Sequence, residues 1–212
     1  MIGDVILITK KDRARAKTLL PKIVKLKDKS IIAIQGGSGT KKTECMIAIQ
    51  EELYKLKKRS LGISVDDYYA SSFRDRERIR KRKGVKSVGL HEIDWKYLKQ
   101  IVKNFKKGKA EVIIQQINKY TDAFFESVVY EADKVDCVII EGLYAGYLKK
   151  FKLVDFCIHL DGTPQQTMAF RKKRGKEKEK SDFRQKVVRK EFNVVTQLKK
   201  YADKVVPFET HE

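Results

Sequence analysis

The stretch GGSGTKKT, residues 36–43, decides the fold through what stands on either side of it. SIIAIQ (30–35) precedes it, an apolar run of strand length that reads as a buried strand. TECMIAIQEELYKLKK (43–58) follows, with Cys45, Ile49, Leu53 and Leu56 on one side at helical spacing. The loop between them follows G-x-x-x-x-G-K-[ST] from Gly36 to Lys42 and Thr43, except that Lys41 stands where the second glycine belongs. A strand–loop–helix turn of this kind aims backbone N–H groups and the positive end of a helix at phosphate oxygens. Lys42 is then placed to reach β- and γ-phosphates, and Thr43 to offer its hydroxyl to Mg²⁺. Gly36, Gly37, Ser38, Gly39, Thr40, Lys41, Lys42 and Thr43 together form the candidate nucleotide cradle. At Lys41 the backbone must pass close to the phosphates, so the side chain either leaves the site or adds charge to it.

Outward from that unit, apolar runs alternate with helical patterns, the signature of βαβ construction. VILIT (5–9) predicts a short strand, and KKDRARAKTLLPKIVKLKDK (10–29) a basic helix interrupted near Pro21. SLGISV (60–65) reads as a strand, and the charged, glycine-broken stretch from there to about residue 90 as lying outside the core. IDWKYLKQIVKNFKKG (93–108) is an amphipathic helix, with Asp94 as its cap and Gly108 as its stop. EVIIQQI (111–117) and FESVVYEA (125–132) alternate like a hairpin beside the main sheet. VDCVIIEG (135–142) and VDFCIHLD (154–161) are apolar strands, each closing on an acid. Two helices, TPQQTMAFRKKRG (163–175) and SDFRQKVVRKEFNVVTQLKK (181–200), and a short strand, DKVVP (203–207), complete the chain. With no internal repeat and no linker, it reads as one compact domain, in which 1–29 is a strand-and-helix extension of 30–212.

At 212 residues, 42% of them hydrophobic and 9% aromatic, the chain can bury a sizeable core and lacks the composition of a disordered protein. No apolar run approaches the length of a membrane span, and MIGDVILITKKDR lacks a signal-peptide cleavage pattern. Cys45, Cys137 and Cys157 are odd in number and set in apolar runs, and read as buried thiols of a reducing compartment. A cytoplasmic protein without a membrane partner is expected. The 48 Lys+Arg against 28 Asp+Glu give +20, a field that favours anionic partners. Basic residues are densest in RDRERIRKRKGVK (74–86) and RKKRGKEKEK (171–180).

Two acids strengthen the reading of the loop. Glu141 ends an apolar strand at the carboxyl edge of the sheet, where ligands of parallel sheets bind, and can hold Mg²⁺ directly or through water. Asp66 follows the strand 60–65 and emerges on the same edge, where a carboxylate can accept the proton of a hydroxyl that attacks the γ-phosphate.

Four pieces in this order resemble the uridine kinase/phosphoribulokinase-like P-loop kinases. GGSGTKKT resembles that family's GGSGSGKT, and SVDDYY (64–69) its strand-end D-x-F-Y. VIIEGLYA (138–145) resembles V-x-E-G-x-x-A, and KKYADKVVP (199–207) is similar to K-x-Y-A-D-x-x-x-P. The resemblance spans roughly residues 30–207. It implies a doubly wound, mostly parallel α/β sheet flanked by helices, with a basic helical lid and with ATP and Mg²⁺ as cofactors. It further implies Asp66 as base, Lys42 and Thr43 on phosphate and metal, Glu141 in support of Mg²⁺, and Tyr69 beside the substrate. RKKRG (171–175) falls where the family carries its lid, so Arg171 and Arg174 are candidates to clamp phosphates.

The chain departs from the family at the substrate pocket. Tyr120 and Asp122, in QQINKYTDAF (115–124), are out of register with the P-x-Y-D stretch that shapes a nucleoside site. His91, in GLHEIDW, falls near the D-H-P-x-x-F-D stretch in altered order. His91 and Tyr120 are carried as candidate substrate residues. The expected activity is transfer of the ATP γ-phosphate to a small-molecule hydroxyl. A nucleoside such as uridine or cytidine leads, followed by a sugar, sugar phosphate or pantothenate-like alcohol. Two readings of other classes stand beside it. One is a nucleotide-binding regulatory module with Lys41 as the scar of lost catalysis, against which intact Asp66 and Glu141 count. The other is a nucleic-acid-binding protein driven by the +20 charge, against which the lack of a recognition motif counts. The sequence leaves homo-oligomerisation open.

Overall fold

Seven strands and six α-helices are defined in the computed structural model, which describes residues 5–117, 126–173 and 181–208. Five of the strands form one sheet. β1 (Ser30–Gly36) is buried from end to end, as its central place requires. It pairs on one side with β5 (Cys137–Gly142) and on the other with β6 (Phe156–Asp161), both parallel. β2 (Ser60–Ser64) extends the sheet beyond β5, and β7 (Lys204–Pro207) extends it beyond β6, again parallel. The order is therefore β2–β5–β1–β6–β7.

Alternation along β1 divides the core between the two faces of the sheet. Ile32 and Ile34 pack with Ala16 and Leu19 of α1 (Lys10–Ile23) and with Cys45, Ile49 and Leu53 of α2 (Lys42–Lys55). Ile31 and Ala33 face the opposite way, toward α4 (Trp95–Lys106) and the inner residues of α6 (Asp182–Leu198). Helices thus cover both faces, and the doubly wound α/β expectation holds. β3 (Glu111–Gln116) and β4 (Glu126–Glu131) form a separate antiparallel hairpin. Its inner residues Val112 and Ile114 are buried in the same cluster as α4. Asp94 caps α4 by accepting from the N–H of Tyr97 at 3.0 Å. Burial pushes the thiols of Cys45 and Cys157 up to about 12 and that of Cys137 to about 11. No helix among the described residues is long and apolar enough to cross a membrane.

Three local expectations are corrected. Residues 5–9 join no strand; Leu7 instead donates its N–H to the Glu44 side chain at the start of α2. The expected helix at 10–29 is α1, which runs through Pro21 and stops at Ile23. Pro21 falls in the final turn, and the helix ends two residues beyond the N–H that proline lacks. The charged stretch after Asp66 holds a further helix, α3 (Phe73–Lys83), capped by Ser72. It reaches the interior through an arginine. Arg80 is 5% exposed and grips Glu92 with Nε (2.7 Å) and Nη2 (2.8 Å), while Nη1 donates to Glu191 of α6 at 3.0 Å.

Candidate active site

Register places Glu141, the loop after β1 and the turn after β2 together at one edge of the sheet. Glu141 of β5 is paired with Ile34 of β1 on one side and Ser64 of β2 on the other. The loop that leaves β1 after Gly36 and the turn that leaves β2 after Ser64 therefore flank Glu141. A 3-10 turn (Val65–Tyr68) carries Asp66 and Asp67, and its N-terminus is capped by Ser64.

The loop obtains its shape from close packing. Gly37 lies so near Phe192 of α6 that a β-carbon there would be 2.1 Å from the ring. Gly39 has φ +84, and a β-carbon on it would meet the Arg171 side chain at 2.7 Å. Both positions thus demand glycine. The Gly37 carbonyl accepts from the Thr40 hydroxyl and from Lys42 Nζ, each at 2.9 Å. Lys42 therefore folds back over the cradle it would share with phosphate oxygens.

Lys41 adopts the left-handed conformation, φ 65 and ψ 39, as the N-cap of α2. Its side chain turns away from the loop and is fully buried, with its ammonium bonded to Asp12 of α1. Of the two courses open to a lysine here, it takes the outward one.

Glu141 gathers the metal-type donors. Its Oε1 accepts from the Thr43 hydroxyl at 3.2 Å and from the Ser64 hydroxyl at 2.8 Å. Burial raises its pKa, opposed by the positive charge of Lys42 and the Ser64 hydrogen bond, while the negative charge of Asp66 adds to the rise. A single carboxylate with a hydroxyl beside it is a hard, all-oxygen donor set, of the kind that holds Mg²⁺ when nucleotide phosphates supply further oxygens. Among the described residues no group of three or more His, Cys, Asp or Glu side chains could hold a metal ion by itself.

Asp66 is half-buried on the same edge, close enough for its charge to act on Glu141 and on Tyr69. Tyr69 is 6% exposed, pairs through its backbone with Ile93, and carries the Arg76 guanidinium 3.5 Å from its ring centroid. His91 precedes Ile93 in chain order, but its ring is exposed and its Nε2 lies 3.1 Å from the Ser87 carbonyl. Arg171, in α5 (Met168–Lys173), is 3% exposed and donates to the Pro164 carbonyl at 3.0 Å and to the Thr167 hydroxyl. It stands against Gly39 as a wall of the loop. Tyr120, Asp122 and Arg174 lie outside the described residues.

Four participants went unread in the sequence. Ser64 completes the Glu141 cluster, and Asp67, pushed up to about 6 by burial, receives the Ile117 N–H at 3.0 Å. Asp12 holds Lys41, and Arg76 covers Tyr69. The one local signal was Thr9-x-x-Asp12, a helix-capping pattern that marked the start of α1.

A phosphate loop after the central strand, with a carboxylate on the adjoining β5 and an acidic turn after β2 beyond it, defines a P-loop kinase fold. A family model described as "Phosphoribulokinase / Uridine kinase family" matches residues 31–209, and the chain belongs to that family. Solved structures share the fold at low identity. A possible uridine kinase from Bacillus stearothermophilus aligns with TM-score 0.61 and 17% identity, over 92% of this chain and 98% of that one. D-glycerate 3-kinase from Cryptococcus neoformans gives 0.62 and 13%, over 96% and 97%. Phosphoribulokinase from Rhodobacter spheroides gives 0.58 and 12%, over 88% and 74%. No curated protein matches the sequence.

Proposed function

We propose that this protein transfers the γ-phosphate of ATP to the hydroxyl of a small molecule, a nucleoside such as uridine or cytidine first. The observation that carries the reading is the junction of Thr43 and Ser64 on Glu141 directly beside the phosphate loop. In this reading Asp66 accepts the proton of the acceptor hydroxyl as its oxygen bonds to the γ-phosphorus, and the bond to the bridging oxygen of ADP breaks. Lys42 exchanges the Gly37 carbonyl for phosphate oxygens and offsets their charge. Thr43 and Glu141 would hold Mg²⁺, which supplies neutralisation of the β- and γ-oxygens. Arg171 keeps the loop backbone in register, Arg174 remains the candidate to clamp phosphates, and Tyr69, His91 and Tyr120 remain the candidates for the substrate side. Such catalysis is positioning and charge neutralisation, and the residues named cover both tasks.

A specific observation favours a phosphorylated sugar as the second acceptor. Arg76 lies against Tyr69, and the helix that carries it also lines a cleft of about 570 Å³ with Asp75, Arg78 and Arg82, together with Ser71 and Ser72. An anionic acceptor would find compensating charge there. The test is Mg²⁺-dependent phosphoryl transfer from ATP to nucleosides, pentose phosphates, glycerate and pantothenate, with Lys42→Ala and Asp66→Asn alongside. Turnover on one acceptor that both substitutions abolish is expected. Folded wild-type protein that binds no MgATP would sink the proposal.

A further inference from the structure

The residue that departs from the phosphate-loop pattern and the helix outside the family match are in contact. Lys41 occupies the place where the pattern has glycine, and it does so at positive φ, a conformation that costs a residue with a β-carbon about 1–2 kcal/mol. Its ammonium is bonded to Asp12, and both side chains are fully buried. Asp12 is fixed in turn by Thr9, whose N–H and hydroxyl both donate to Oδ2, at 2.8 and 2.7 Å. The Arg15 guanidinium stands 3.7 Å from Oδ1. Burial opposes ionisation of Asp12, yet the hydrogen bonds from Lys41 and Thr9 outweigh it and hold the carboxyl below its usual range. On the lid side, the Phe170 ring of α5 covers the Lys41 ammonium at 5.0 Å. The loop, the N-terminal helix and the lid helix therefore meet on one side chain.

We infer that Asp12 is a positioning residue for the nucleotide site: by drawing Lys41 out of the cradle it holds the loop in the left-handed turn that glycine would otherwise supply. The inference rests on the MgATP-binding reading above. Asp12 and Lys41 then act as one unit in place of a glycine, and the N-terminal helix belongs to the phosphate site.

The experiment measures MgATP affinity by calorimetry, which needs no acceptor, on four proteins: wild type, Asp12→Asn, Lys41→Gly and the double variant. Asp12→Asn is expected to weaken MgATP binding about tenfold, since Lys41 loses the partner that stabilises its turn. In the Lys41→Gly background the same Asp12→Asn change is expected to alter affinity less than about twofold, because glycine adopts the turn unaided. Leu19→Ala separates this from simple helix stability. It removes an apolar contact of α1 with the core but leaves the Asp12–Lys41 pair, so melting temperature should fall while affinity holds. Where turnover is followed, Asp12→Asn should raise the KM for ATP and change kcat less than about threefold. Unchanged affinity in Asp12→Asn, equal losses in the wild-type and Lys41→Gly backgrounds, or a Leu19→Ala protein that mimics Asp12→Asn would each overturn the inference alone. Wild-type protein that binds no MgATP would overturn it together with the proposed function.

Discussion

Glu141 joins a cost to the fold with its proposed role in the chemistry. Its carboxylate is 5% exposed, and burial works against its ionisation. Ser64, Thr43 and the charge of Lys42 offset part of that cost. Glu141→Gln removes the charge and keeps the shape. The protein should melt at the same or a slightly higher temperature, while phosphoryl transfer falls at least about 100-fold and the Mg²⁺ concentration needed for half-maximal rate rises. Melting curves and an Mg²⁺ titration check both parts, and an unchanged Mg²⁺ requirement would remove Glu141 from the metal site. Glu141 and Asp66 could be placed at one edge from the sequence because each closes or directly follows an apolar run, a pattern visible without tertiary information. Ser64 could not, because a serine at a strand end says nothing until register sets it opposite Glu141.

Among the elements, α3 is where sequence reading failed, and the reason is physical. Helices are recognised by an apolar face, but the inward face of FRDRERIRKRK is held by Arg80, whose partners Glu92 and Glu191 lie 12 and 111 residues away. No local pattern announces a buried ion triad. Arg80→Ala leaves two buried carboxylates facing each other and is expected to cost about 3–5 kcal/mol in urea unfolding, with α3 loosening from α6. The run 5–9 misled in the opposite sense, because V-I-L-I has strand propensity but meets a helix end rather than a sheet edge.

The turn between β2 and α3 carries a pH dependence of its own. Asp67 receives the Ile117 N–H of the hairpin and is raised from 3.8 to about 6 by burial. Between about pH 4 and 6 the folded chain holds a proton there that the unfolded chain has released. Stability from this group therefore falls as pH rises through that window and levels off above it. Asp67→Asn removes the effect, so the variant should gain on wild type from about pH 4 to about pH 7, by up to about 3 kcal/mol. Melting both proteins across that range measures it, and parallel curves would show that Asp67 is ionised throughout.

At the scale of the molecule, the alternation of apolar runs and helical patterns was enough to foresee a parallel sheet covered on both faces. The buried strand, the loop after it and the two acids on one edge of the sheet are those the sequence suggested. What one sequence could not show is how residues 1–29 attach, because α1 is basic and exposed on one side, like any surface helix. The structure seats its other side on α2, with Ala16, Leu19 and Ile23 in the cluster under β1 and Asp12 on the phosphate loop. Each buried aliphatic side chain of this kind contributes about 1.5–3 kcal/mol, and a typical domain has only about 5–15 kcal/mol in total. Removing residues 1–29 should therefore leave a chain that is insoluble or melts at least about 10 °C lower, and one that binds MgATP weakly even where it folds. Circular dichroism melts and calorimetry on residues 30–212 against the full chain decide the matter. A truncated protein with the full melting temperature and full affinity would make α1 an appendage. The loss of both would make it part of the kinase fold, occupying the face of the phosphate loop that Lys41 requires to be filled.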